Sequence, residues 1–518
     1  MRPWTIWTFA LVFIVAVLVR LPGLDRLLDG SEVDYVRAAR RGFLTNYLDI
    51  GTRPVWEFVA TGLAMAGFAA EGNAADPDLW RRDVEADDIA AYRHYHPPLF
   101  IYTLGAVEGL AGYSDATVRL VPLAFSLATI AMAYLGCALL IPVRGAQIGL
   151  VAAAILSALS LHVATAVDIG WHVPYACLAT VSLFAMGYLV TRPSLHALVA
   201  AVVTATIAFM TLEHAVFLYV TLVAVLVVTD NPWLRLSRSG VSMHRGLLVA
   251  VGAGLLTMLV AWPASLIKLS IVKNLGVHAY YSRTLELSPR FYDVYLVLID
   301  RYPVMIALAA VTAVVSIMRR SHLPRALLPF AIYALAMCVL QVGNQNLKPL
   351  YFVSLLPALA LLSAVWIVDA CSATNLRVRL VGRAVATTAA LALVLTIQQA
   401  LQSRDRSNPN GELVNRLARV EDLARESVLT WPAGSHAAQM LGFYLPDTRF
   451  VRVIDEPQSV RAAAEALRRG AFRFVVIDVA ADELDEGAPP GMGNSYRRLF
   501  EIEGNADTDG FEVWRRRE

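Results

Sequence analysis

Through the first 400 residues, long apolar runs alternate with short polar loops. A helix needs about 20 mostly apolar residues to cross the ~30 Å hydrocarbon layer of a bilayer. Runs near that length lie at 4–20, 117–141, 147–167, 172–191, 195–212, 215–229, 246–267, 302–318, 326–342, 350–368 and 384–402, and they predict eleven transmembrane helices. The first has no small-residue cleavage site and reads as a retained anchor. The stretch 99–112 is apolar but shorter and interrupted by Glu108, which predicts a helix lying flat in the interface. The pattern changes after residue 402. A polar linker at 403–411 leads into strand-like runs at 428–431, 450–453 and 474–479, with a helical stretch at 459–469 between the last two. The expected architecture is a membrane all-α bundle over 1–402, with interfacial helices in a first external loop at 21–116, and a small α/β domain over 403–518.

Composition narrows the class further. Hydrophobic residues make up 57% of the chain and charged residues 17%, against about a quarter charged in a soluble globular domain. The net charge of +2 is spread over short loop clusters, which argues against nucleic acid as a partner. Cys137, Cys177, Cys338 and Cys371 sit in or beside apolar runs without metal or redox spacing, and read as packing residues. Arg144, Arg192, the 235–245 cluster, the 319–325 cluster and the 377–383 cluster all fall on alternate loops. By the positive-inside rule these loops are cytoplasmic. The N-terminus is then cytoplasmic, while the first long loop and the C-terminal domain lie outside, as in a multi-pass protein of the bacterial plasma (inner) membrane.

Chemistry is therefore sought outside. The first loop opens with Asp25, Asp29, Glu32 and Asp34, any of which could take a proton from an acceptor nucleophile. The alternative is a helix start, with Ser31 and Asp34 as a shortened capping box. The loop closes on Tyr92-Arg93-His94-Tyr95-His96-Pro97-Pro98-Leu99, a rigid bend that carries imidazoles toward the membrane and could bind a phosphate or sugar hydroxyl. His94, His96 and nearby carboxylates are also candidates for a divalent metal ion, although no ligand spacing fixes one.

As an ordered set these segments resemble the GT-C class of membrane glycosyltransferases that use polyprenyl-phosphate sugars. The similarity is to glycosyltransferase family 39, which includes protein O-mannosyltransferases and the lipid A aminoarabinose transferase. The residues that carry it are Ser31-Glu32-Val33-Asp34-Tyr35 with Ala38, His96-Pro97-Pro98-Leu99, Gly112-Tyr113-Ser114 with Arg119-Leu120, Asp168, and Lys348-Pro349-Leu350-Tyr351-Phe352 with Leu356-Pro357-Ala358. The resemblance covers roughly 1–370 and implies inverting transfer from a lipid-linked donor to an extracytoplasmic lipid, glycan or protein. It implies Glu32, Asp34, Asp29 and Asp168 as catalytic carboxylates. Lys348, Tyr351, Arg119, His96, His94 and Lys273 would contact the donor phosphate or the substrate, with Lys268 and Arg283 as further external cations. The bland role for Lys268 and Lys273 is snorkelling at a helix end.

One position departs from the family pattern: Ser31 stands where the family has its first acidic residue, and a serine is no base unaided. This keeps open a degenerate protein that only binds polyprenyl lipid or a partner. A secondary transporter is the third class, disfavoured by the absence of an internal repeat and of mid-span charges.

Overall fold

The computed structural model describes residues 3–48, 55–56, 96–229, 241–272, 293–301, 303–318, 323–340, 349–403, 409–420, 423–431, 437–452, 457–479, 492, 495–502 and 510–517. Two compact units emerge. One comprises Met1–Pro22, Ala38–Tyr113 and Thr117–Leu401, and the other Gly23–Arg37, Ser114–Ala116 and Gln402–Glu518.

The first unit is helical, and a helix lies in each apolar run: Pro3–Arg20, Asp115–Leu140, Gly145–Ala158, His172–Thr191, Leu195–Phe209, Val216–Val228, Val241–Ala261, Pro303–Met318, Leu328–Leu340, Leu356–Cys371 and Leu376–Ser403; the run 147–167, expected as one span, is interrupted at Leu159. Among the described residues, Pro3–Arg20, Asp115–Leu140, His172–Thr191 and Leu350–Cys371 are long and apolar enough to cross a membrane. A fifth candidate is the bent pair Gly145–Ala158 and Ser160–Val167. Several of the remaining apolar helices, such as Leu195–Phe209 and Arg325–Val339, are shorter. The 99–112 stretch is the helix Leu99–Ala111; the Gly112 amide still donates to the Glu108 carbonyl, and its φ of 76° then turns the chain out of the helix.

Small residues let these helices approach closely, as they do where lipid offers no hydrophobic driving force. A Cβ added to Gly187 would stand 2.3 Å from the backbone carbonyl oxygen of Ala326. Helix His172–Thr191 accordingly lies against the segment Arg325–Leu327.

The second unit contains five strands: β1 (Ser427–Trp431), β2 (Arg449–Arg452), β3 (Phe474–Val479), β4 (Tyr496–Ile502) and β5 (Gly510–Arg516). Their order is β2-β1-β3-β5-β4, with β1 parallel to β2 and β3, and β5 antiparallel to both neighbours. Alternation along the strands builds two cores. Val428, Phe474, Val476 and Val513 face Leu413, Leu417, Met440 and Leu441, while Leu429, Val475 and Ile477 face Ala463 and Leu467. A strand buried on both faces reads as a continuous apolar run, which is why Phe474-Val475-Val476-Ile477 stood out in the sequence. Strands β4 and β5 were not expected, although Tyr496-Arg497-Arg498-Leu499-Phe500-Glu501-Ile502 is rich in β-forming residues.

Phe474 is fully buried on the central strand β3. Its replacement by Ala should destabilise this unit by about 3–5 kcal/mol. Thermal unfolding of the purified full chain, read through protease sensitivity after residue 403, checks this; an unshifted transition would contradict the assignment of the core.

Candidate functional site

In the helical unit, the polar residues expected on the outer side collect at helix ends. His96 is held by the proline bend, and the following residue pins it: the Leu99 N–H donates to the Met210 carbonyl at 2.9 Å. Met210 closes the helix Leu195–Phe209 and is buried with Trp262 and Ala264, against which Leu99 and Phe209 pack. Fixing residue 99 to residue 210 brings His96 to Glu213. Nδ1 of His96 lies 2.9 Å from Oε1 and 3.0 Å from Oε2 of Glu213, and both side chains are largely buried. The Trp171 ring lies against the imidazole, with centroids 3.9 Å apart.

Tyr351 forms the second focus. Its ring meets His172 edge-on at 5.1 Å and His214 edge-on at 5.4 Å. The pairs Trp171-His172 and Glu213-His214 therefore each give one side chain to His96 and the next to Tyr351. Two imidazoles around a phenol and one beside a carboxylate make a half-buried cluster rich in hydrogen-bond donors. Such a cluster suits an oxyanion.

Asp168 is half-buried and follows the short turn Thr165–Val167. Arg119 is fully buried and its Nη1 donates to the Val167 carbonyl at 2.8 Å. The structure thus sets Arg119 against the backbone next to Asp168.

In the second unit, the acidic segment forms the start of the helix Gly30–Arg40. The Asp29 N–H donates to Oε2 of Glu32 at 3.0 Å, and the Glu32 N–H donates to Oδ1 of Asp29 at 2.8 Å. This is a reciprocal capping box three residues apart, two residues upstream of the Ser31 and Asp34 pairing weighed from the sequence. Glu32 is 3% exposed and has Nη2 of Arg26 at 3.5 Å. Asp34 is half-buried one residue beyond Val33 on the same helix. The Leu28 N–H donates to the Tyr444 hydroxyl at 2.8 Å, and that hydroxyl donates to Oδ2 of Asp115 at 2.8 Å, which fixes the entry to the helix.

Of the residues expected from the sequence, His96, Tyr351, Asp168 and Arg119 fall at or near helix ends of the first unit, and Asp29, Glu32 and Asp34 share one helix start in the second. His94, Lys273 and Lys348 lie outside the described residues. Sequence reasoning missed Glu213, Trp171, His172 and His214. Their signal was position: each sits in a short loop that the arginine pattern puts outside. No three His, Cys, Asp or Glu side chains among the described residues are grouped to hold a metal ion.

Residues 95–269, which span His96 to Glu213, match the family described as dolichyl-phosphate-mannose-protein mannosyltransferase. The fold is similar to that of ArnT from Cupriavidus metallidurans in the apo state, at 16% identity and a TM-score of 0.59, over 99% of this chain and 97% of that one. It is similar to ArnT bound to undecaprenyl phosphate, at 15% identity and a TM-score of 0.56, over 98% of both chains. It is also similar to the archaeal oligosaccharyltransferase AglB from Archaeoglobus fulgidus in complex with an inhibitory peptide and a dolichol-phosphate, at 12% identity and a TM-score of 0.53, over 92% of this chain and 69% of that one. Among curated proteins no sequence matches. The resemblance read from the sequence is thus met by a family model over residues 95–269 and by the fold, and the chain has helices long and apolar enough to cross a membrane.

If His96 and Glu213 act as one unit, their substitutions should not add. His96→Gln and Glu213→Gln, alone and combined, should show a coupling of about 0.5–3 kcal/mol in thermal unfolding. Additive effects would dissolve the pair.

Proposed function

We propose that this protein is a glycosyltransferase that moves a sugar from a polyprenyl-phosphate donor to an acceptor outside the cytoplasm. The observation that supports the reading is the convergence of His96, Trp171, His172, Glu213 and His214, all inside the segment that matches the mannosyltransferase family, with Tyr351 from beyond it. The bond from the anomeric carbon to the phosphate oxygen breaks while a bond to the acceptor nucleophile forms, with inversion. The electron pair leaves on the phosphate, and the acceptor proton passes to a carboxylate. The anionic leaving group needs donors, which His96 and Tyr351 supply, and Lys348, three residues before Tyr351, adds a cation.

The base is a carboxylate of the 29–34 segment. Asp29 and Glu32 cap the start of this helix and Arg26 lies beside Glu32, while Asp34 follows on the same helix; Asp34 is taken as the base and Glu32 as the residue that sets its helix. Asp168 is a second carboxylate for the site. Eleven crossings place the N-terminus in the cytoplasm and the C-terminal domain outside. Ser31, at the family's first acidic position, is the observation that favours a degenerate lipid binder instead.

Turnover separates these readings. Purified protein given a synthetic polyprenyl-phosphate sugar and a membrane extract as acceptor should release polyprenyl phosphate; no release with any donor sugar would leave only the binder. Asp34→Asn should cut turnover by about 10²–10⁴-fold with donor binding retained, whereas Glu32→Gln should lower stability and turnover together. Equal, full turnover in both would remove this loop from the chemistry. Lys348→Ala should weaken donor use by about 10–150-fold, the equivalent of roughly 1.5–3 kcal/mol for a charged hydrogen bond, and an unchanged donor dependence would remove Lys348. A cysteine at exposed Ser495 should react with an impermeant thiol reagent in intact cells and one at Thr374 should not. The reverse pattern would invert the topology.

A further inference from the structure

The helix that starts at Gly145 stops at Ala158 and resumes at Ser160 after a bend of 69°, with Leu159 extended at φ −69° and ψ 115°. A break inside an apolar layer strips backbone carbonyls of their helical partners, and each then needs a donor from another element. That donor is Arg20, the last residue of the first helix. Its Nη2 donates to the Leu156 carbonyl at 3.1 Å and to Nδ1 of His162 at 2.8 Å. Nε donates to the Ser126 hydroxyl at 3.1 Å and Nη1 to the Ala16 carbonyl at 3.0 Å. The side chain is 1% exposed. One buried cation therefore holds the chain on both sides of the break, at 156 and at 162, and ties it to two further helices.

The segment held in this way, Ser160–Val167, ends on Asp168. Its far end is gripped by the second buried guanidinium, Arg119, at the Val167 carbonyl. We propose that Arg20 is a positioning residue for Asp168: by fixing the break at Leu159 it sets where the Ser160–Val167 segment delivers that carboxylate. The planar fork matters, because four acceptors in different directions need several fixed N–H groups, and a lysine ammonium on a flexible stem cannot serve them all.

The catalytic consequence rests on the transfer reaction proposed above, while the geometric one does not. Hydrogen exchange of the purified protein reads the geometry. Arg20→Met should speed exchange of amides between 156 and 168 by about tenfold or more, and leave the His172–Thr191 helix unchanged. If Arg20→Met fails to insert, His162→Ala removes one of the four bonds and should give a smaller rise in the same peptide. In the transfer assay, Arg20→Met should lower kcat with the donor KM unchanged, and Arg20→Lys should restore only part of it. Unchanged exchange in both Arg20→Met and His162→Ala overturns the proposal, as does faster exchange with kcat retained in the folded fraction. Faster exchange in a protein whose wild type transfers no sugar supports the brace and sinks only the enzymatic reading.

Discussion

A chain inside hydrocarbon must satisfy every backbone N–H and C=O with its own atoms, and that requirement organises this protein. It keeps the interior of the helical unit apolar and moves reactive side chains to helix ends. There the last carbonyls and first amides are available, as where the Leu99 amide finds the Met210 carbonyl and so seats His96 beside Glu213. The same requirement recruits two buried guanidiniums, Arg20 and Arg119, to the two ends of the segment that follows the break at Leu159. Polar groups that look costly in such surroundings are here the means by which irregular backbone is tolerated.

The second unit follows a different economy. It builds a sheet with helices on both faces, so its fold is specified by period-two alternation and by the two cores that alternation produces. Its helix at Gly30–Arg40 begins with a capping box, in which a buried carboxylate serves the backbone first. Within the acidic cluster, the two residues three apart, Asp29 and Glu32, close the helix start.

Much of this was legible in the residues, and the boundary of legibility has a physical cause. Helix positions followed from hydrophobic run length, because the bilayer sets the length, and β1 to β3 followed from short β-branched runs. Partners were not legible. His96 and Glu213 are 117 residues apart, and no local pattern records their pairing. The capping box was misplaced by two residues because Asp29-Gly30-Ser31-Glu32 and Ser31-Glu32-Val33-Asp34 both offer an acid three residues on, and only backbone geometry separates them. The role of Arg20, at the end of the first apolar run, was not legible either, since its four acceptors lie on its own helix, on Asp115–Leu140 and on both sides of the break.

The central claim is that the helix-end cluster around His96 and Tyr351 binds a lipid-linked anionic donor. Mass spectrometry of lipids extracted from gently purified protein tests it most directly. The account predicts a polyprenyl phosphate or its sugar-linked form, enriched over the bulk membrane and depleted in His96→Gln and in Tyr351→Phe. Recovery of bulk phospholipids alone, with the same profile in both variants, would contradict it.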